Sequence, residues 1–371
     1  MGAQTVDDTD VIRGLCPRFD GGGTLQRPLM ILDQHFRTVE ELFSPDTFAE
    51  LSTLCRIVGG EDAPMASDRL SEHLTEAAFL VAARPKVTRE ALDTAPNLKA
   101  IIEVSGAFHD EIDYSACFEK GIEVLSCAPG FRYAVAEMGL AMLLAASRGL
   151  IAEHEAFRTA KERWLDDRPE TDFSLFGQKI GFVGYGNIAR EMHGLLAPFA
   201  PEVSAYDPWI RTFPDTVTPL GLEDLFSTCR AVIITAVPDG GNKGMVTADL
   251  INGMQNGAAL ILLSRAHVID FEAAASAAER GKITFATDVY PTEPISGADR
   301  VREIGQMIHS PHRAAAVSGG RHPIGAFVLH DVAAILEGRG ERRLLPADAT
   351  KVEGLVRAQR DIERRGQLSK T

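Results

Sequence analysis

Three residues suited to moving a proton stand far apart in the chain but at similar places. Arg265 follows the aliphatic run "LILLS" (260–264), Glu293 lies in "DVYPTEP" (288–294), and His312 lies in "SPHRAAA" (310–316). A continuous aliphatic run of this kind predicts a strand buried on both faces, as in a parallel sheet. All three residues then fall just beyond the carboxyl ends of strands, and those ends open onto one crevice. Together they fit the reduction of a carbonyl beside a carboxylate. Arg265 can bind the carboxylate with two parallel N–H bonds and polarise the neighbouring keto oxygen. His312 can give that oxygen a proton as hydride arrives. Glu293, hydrogen-bonded to the imidazole, favours its protonated form and holds its orientation. Taken singly, each has a plainer reading as a strand-end ion pair, a turn acid before proline or a loop histidine.

A hydride needs a source, and "KIGFVGYGNIAREMHGLL" (179–196) supplies a place for one. Gly184, Gly186 and Ala189 have G-x-G-x-x-[GA] spacing directly after a predicted strand and at the start of a helix. The glycines permit a tight turn, and backbone N–H groups at the helix start can meet a pyrophosphate. Asp207 closes the next strand, where its carboxylate can accept the adenosine ribose hydroxyls and repel a 2′-phosphate. The expected cofactor is NAD rather than NADP.

These parts need a scaffold, and the chain alternates as an α/β protein does. Strand-like runs at 28–33, 55–60, 77–83, 98–104 and 122–127 form one series. A second series, at 179–184, 202–207, 231–237, 258–264, 283–290 and 306–311, reads as a doubly wound nucleotide-binding sheet. Helices are expected at 132–148 and 323–338, and residues 1–27 read as a loose extension. With 371 residues the chain has room for two domains. The cofactor domain is expected over 131–316, inserted into a substrate domain made of 1–130 and the returning segment 317–371.

A net charge of −14 argues against a nucleic-acid binder and against an anionic membrane surface. Any anionic ligand must then be met by a few local cations. The cysteines (Cys16, Cys55, Cys117, Cys127, Cys229) are scattered without CxxC spacing, which suggests reduced thiols in a cytoplasmic protein and no metal site. The N-terminal "MGAQTVDDTDVIRGL" lacks the apolar core of a signal peptide, and "AVAEMGLAMLLAAS" (134–147) is too short to span a bilayer.

With these motifs in order, the chain resembles the NAD-dependent D-2-hydroxyacid dehydrogenases. The likeness is carried by "GFVGYGNIA", the Asp207 strand, "SRAHVID", "DVYPTEP" and "SPH", and upstream by "VTREALDTAPNLKAI" and "GIEVLSCAPGFRYAVAE". It implies a Rossmann NAD-binding domain inserted into a flavodoxin-like substrate domain, two doubly wound parallel sheets in all. It implies Arg265, Glu293 and His312 as the catalytic residues. Gly184, Gly186, Asn187, Ile188, Asp207, Val237, Pro238 and Asp288 are then expected to contact the cofactor. Val104, Ser105 and Gly106 are expected to grip the substrate carboxylate alongside Arg265. The partner is a small 2-keto or 2-hydroxy acid, and the assembly a homodimer that buries 132–148 and the arm 151–175. Where the family carries Asn-Thr-Ala-Arg-Gly, this chain has Leu262, Leu263, Ser264, Arg265 and Ala266, and Ala314–Ala316 replace the glycines common after the histidine. Phe108 stands where a small residue is usual and is expected to shape the pocket. Arg84 and Lys86 are the cations available for a phosphorylated substrate. A rival reading is an NAD(H)-sensing interaction protein, corepressor-like, with slow turnover or none.

Overall fold

The computed structural model describes residues 27–165 and 172–368, so the extension expected before residue 27 lies almost wholly outside the described residues. Two sheets organise the chain. The first holds β1 (Leu29–Asp33), β2 (Arg56–Gly59), β3 (Ala77–Ala82), β4 (Ala100–Glu103) and β5 (Glu123–Ser126), parallel in the order β5-β4-β3-β1-β2. This is a flavodoxin-like order. The second contains β6 (Lys179–Val183), β7 (Glu202–Tyr206), β8 (Val217–Pro219), β9 (Ala231–Ile234), β10 (Ala258–Leu262), β11 (Ile283–Thr287) and β12 (Met307–His309). All seven are parallel, ordered β12-β11-β10-β9-β6-β7-β8. The order reverses between β6 and β9, and that switch point is where such sheets open a ligand crevice. Sequence reading expected six strands here. It missed β8, a three-residue edge strand ending in Pro219 that carries almost no apolar signal.

The aliphatic runs behave as their composition demands. Every residue of β3, β9 and β10 is buried, because helices cover both faces of each sheet. The helix Arg132–Ser147 leads from the first sheet into the second and packs on the helix Asn187–Leu196, on β10 and on β11. Gly139 makes that approach possible, since a Cβ there would lie 2.5 Å from the Leu263 side chain. After β12 the chain leaves the second sheet through the helix His322–Leu336, and β13 (Leu345–Pro346) pairs antiparallel with β5.

No single helix among the described residues is long and apolar enough to cross a membrane. The helix Leu150–Arg158 buries none of its residues, and Phe157 (62%) and Trp164 (78%) stand exposed beside it. Of the arm expected over 151–175, residues 166–171 lie outside the described residues.

Candidate active site

The glycine turn is built by close packing. Gly184 has φ +84°, and a Cβ there would sit 2.6 Å from the backbone of Ala236, so only glycine fits. Thr235 Oγ1 donates to the Gly184 carbonyl at 2.7 Å and fixes the turn against β9. Gly186 caps the helix Asn187–Leu196 without a side-chain hydrogen bond, and a Cβ there would meet nothing within 4 Å. The helix start is thus uncrowded at Gly186, which leaves room for the close approach a pyrophosphate site requires. Asn187 and Ile188 form the opening turn of that helix. Asp207 accepts from Tyr185 N at 2.8 Å and from Trp209 N at 2.9 Å, which ties the end of β7 to the glycine turn. Each carboxylate oxygen keeps a lone pair for a ribose hydroxyl. Val237 and Pro238 follow β9 on the same edge, and Val237 is 67% exposed.

Across the switch point the three candidate catalytic residues come together. Glu293 Oε2 meets His312 Nδ1 at 2.6 Å, and Glu293 Oε1 accepts from Tyr290 N at 2.8 Å. Nδ1 is thereby occupied, and Nε2 is the ring nitrogen left for chemistry. His312 has φ +53°, held by its N–H donating to the carbonyls of Asp288 (2.8 Å) and Ser310 (3.0 Å). Burial pushes the Glu293 carboxyl up, but hydrogen bonding and charge from His312, the Tyr290 N–H and Arg265 outweigh it and leave the group below its ordinary 4.5. Arg265 is half-buried in extended backbone, with Nη1 donating to the Ser264 carbonyl at 2.8 Å. Burial lowers the guanidinium from its ordinary 12.5, while the charges of Glu293 and Asp288 oppose the loss, and it remains a cation at any ordinary pH.

The loop after β4 is organised differently. Glu103 is fully buried, and its carboxylate accepts from Ser105 N (2.5 Å), Gly106 N (2.8 Å) and Ala107 N (2.9 Å). Val104 N donates to the Ala82 carbonyl at 3.0 Å. Ser105 Oγ lies 2.8 Å from His109 Nε2. Gly106, with φ +93°, leaves room for the Phe131 ring, which a Cβ would approach to 2.7 Å.

The description "D-isomer specific 2-hydroxyacid dehydrogenase, NAD binding domain" belongs to the family model that matches residues 140–314. A phosphoglycerate oxidoreductase from Rhizobium etli superimposes with a TM-score of 0.76 at 30% identity, over 87% of this chain and 99% of that one. The chain belongs to the D-isomer specific 2-hydroxyacid dehydrogenase family. A D-3-phosphoglycerate dehydrogenase of Mycobacterium bovis is 28% identical over 310 residues, 81% of this chain but 56% of that protein, so the match spans little more than half of the relative's length. A glyoxylate reductase of Thermofilum pendens is 27% identical over 82% of this chain and 92% of its own.

Set within this dehydrogenase fold, several expected roles change. The N–H groups of Val104, Ser105 and Gly106 are all taken by the chain itself, so none is free to grip a substrate carboxylate. Glu103, which takes the N–H groups of Ser105 and Gly106, is a residue that no sequence motif singles out. Phe108 does not shape the crevice: it is 4% exposed, packs with Ile31, Leu80, Ile112 and Ala116, and meets the Tyr114 ring edge-on. Asp288 is committed to the loop that carries His312, accepting from Ser310 Oγ (2.5 Å), Arg313 N (2.8 Å) and Ala314 N (3.1 Å). About one lone pair of its carboxylate remains for a cofactor. Arg84 pairs with Glu363 at 3.1 Å and Lys86 with Glu111 at 2.8 Å, so both face acids of this chain. The residues that replace the family's usual ones fill space. Leu262 and Leu263 are buried in the cores on either face of the second sheet, and Ala314 packs in the same cluster as Val135 and Ala136. Cys127 is fully buried, and burial with the nearby charge of Glu103 pushes its thiol well above 9.0, which leaves it an unreactive core residue.

Proposed function

We propose that the protein interconverts a 2-keto acid and its D-2-hydroxy acid with NAD(H). The observation that carries this reading is the 2.6 Å Glu293–His312 pair beside Arg265, on the same sheet edge as the glycine turn. Arg265 binds the carboxylate and polarises the keto oxygen. His312 Nε2 delivers the proton, and Glu293 orients the ring and balances the imidazolium. Bound NADH supplies the hydride. The cradle at Gly184 and Gly186 and the acid Asp207 suit NADH better than NADPH. Residues 131–316 act as the cofactor domain and the flanking segments 1–130 and 317–371 as the substrate domain, with closure between them excluding water. The exposed Leu150, Ile151 and Phe157 support a homodimer that covers this arm, and the free buried cysteines suit a cytoplasmic setting.

The test is loss of NADH absorbance with a panel of 2-keto acids, comparing wild type with His312→Ala and Arg265→Lys. His312→Ala should lower kcat by about 10²–10⁴ while NADH binding holds. Arg265→Lys should retain only part of kcat/KM, because a point charge cannot reproduce the guanidinium fork. Negligible turnover with every keto acid, despite tight NADH binding, would favour a cofactor-sensing binding protein instead.

A further inference from the structure

Two guanidinium groups meet on the carboxyl edge of the first sheet. Arg37 lies in the loop that follows β1, and Arg321 caps the helix His322–Leu336. Burial and the charge of Arg321 both push the Arg37 guanidinium below its ordinary 12.5, with Glu41 as the carboxylate opposing them. That carboxylate is already shared. Its Oε1 takes Arg321 Nη1 at 3.2 Å, and its Oε2 takes the N–H of Thr38 at 3.1 Å. The Nε atoms of both arginines are buried without a hydrogen-bond partner. Two neighbouring cations, one carboxylate and two unmet donors form a costly arrangement unless a further anion joins it.

The place suits a ligand. The helix that Arg321 caps packs on the turn Ala128–Phe131, where a Cβ at Gly130 would lie 2.6 Å from the Ile324 side chain, and the Phe131 ring in turn lies against Gly106. The pair therefore stands beside the loop expected to hold substrate. Glu103 has already claimed the N–H groups of Ser105, Gly106 and Ala107, whereas the two arginines hold unmet donors for an acidic group.

We propose that Arg37 and Arg321 form a subsite for an acidic group of the ligand remote from its keto carbon, either a phosphate or a second carboxylate. This rests on the reductase reading above and adds a substrate class to it: 2-keto acids with two acidic ends. Arg265 serves the end next to the keto group, and the arginine pair serves the other.

The experiment compares kcat/KM of the full chain with NADH for 2-oxobutyrate, 2-oxoglutarate and 3-phosphohydroxypyruvate. Wild type should prefer one of the two diacids over 2-oxobutyrate by tenfold or more, and the preferred one distinguishes carboxylate from phosphate. Arg37→Gln and Arg321→Gln should each lower that preference ratio by about tenfold to a hundredfold, the worth of one charge-assisted hydrogen bond. Arg37→Lys should recover part of the ratio, an ordering that a purely structural role would not produce. No diacid preference in wild type, or a ratio unmoved in both variants, overturns the subsite. Should no keto acid turn over, the reductase reading fails by itself, and the subsite is judged by thermal unfolding with NADH present. Inorganic phosphate or malonate should then raise the wild-type melting temperature above a chloride control of equal ionic strength, and raise it less in Arg37→Gln. Absence of any such protection in wild type sinks the proposal.

Discussion

Glu103 is the residue whose removal should be most informative, because it occupies the donors a substrate was expected to use. Its two oxygens accept three backbone N–H groups, at 2.5, 2.8 and 2.9 Å, from a fully buried position. Glu103→Gln keeps the shape but replaces one acceptor with an NH₂ group. At least one of the three donors is then orphaned, at a cost of about 1–3 kcal/mol. Glu103→Ala orphans all three. Water entering the gap limits the sum, so the expected loss is roughly 3 kcal/mol or more, read from urea unfolding with NADH absent. The freed N–H groups form an anion-binding concavity in the alanine variant. Formate should therefore restore stability there with a logarithmic dependence on concentration above its Kd, reaching about 2.7 kcal/mol at a hundredfold excess. Wild type, with the concavity filled, should gain less than the alanine variant at the same formate concentration. In the same variant the KM for a keto acid should fall, because its carboxylate no longer competes with Glu103 for these donors. An alanine variant within about 0.5 kcal/mol of wild type, and indifferent to formate, would show that this carboxylate does not hold the loop.

Other consequences can be checked with single substitutions. Asp207→Ala should narrow the preference of kcat/KM for NADH over NADPH, chiefly through weaker NADH binding; an unchanged ratio would place the carboxylate away from the ribose. Phe108→Ala should cost about 3–5 kcal/mol of stability, as expected for a core phenylalanine, yet leave the ranking of keto acids unaltered; a reordered ranking would return Phe108 to the pocket. Glu293 is depressed below 4.5, so its stabilising contribution is complete above that value and disappears as pH falls through the depressed one. The difference in urea midpoint between wild type and Glu293→Gln should accordingly shrink as the buffer is taken below pH 4.5. A difference that stays unchanged there would mean that this carboxylate is not held ionised by its neighbours.

Much of this site was legible because a buried strand announces its own end. The aliphatic run before Arg265 became β10, and the glycine turn, its helix and Asp207 came out in the predicted order. Such motifs are local, and the parallel topology does the rest by turning every strand's carboxyl end to one edge. The same signal stands in "AIIE" (100–103), where an acid ends a fully buried strand. Phe108 lies in irregular backbone before the helix Tyr114–Glu119, so no helical spacing announces its burial, which comes from packing in the cluster that holds Ile112 and Ala116. What no local pattern could show is the Arg37–Arg321 cluster, since 280 residues separate Arg321 from its partner Glu41. Nor could spacing reveal that His312 adopts a positive φ, because this depends on the carbonyl of Asp288.

The acids at the strand ends share a physical logic that joins the fold to its chemistry. Asp33 ends β1 and accepts from Met65 N, Glu103 ends β4 and holds the 105–107 loop, Asp207 follows β7 and holds the glycine turn, and Asp288 follows β11 and holds the His312 loop. Loops leaving a parallel sheet release N–H groups from the ladder, and each buried one needs an acceptor. A carboxylate can satisfy two or three at once and, being charged, binds them more tightly than a neutral oxygen. The same acids leave the edge negative, which makes any cation there conspicuous. Arg265 is balanced by Glu293 and Asp288, whereas Arg37 and Arg321 share Glu41 alone among the acids found to act on them. The imbalance falls at the carboxyl edge of the first sheet. An anionic ligand that reached both arginine sites would draw the two sheet edges together, so closure and recognition would depend on the same charges.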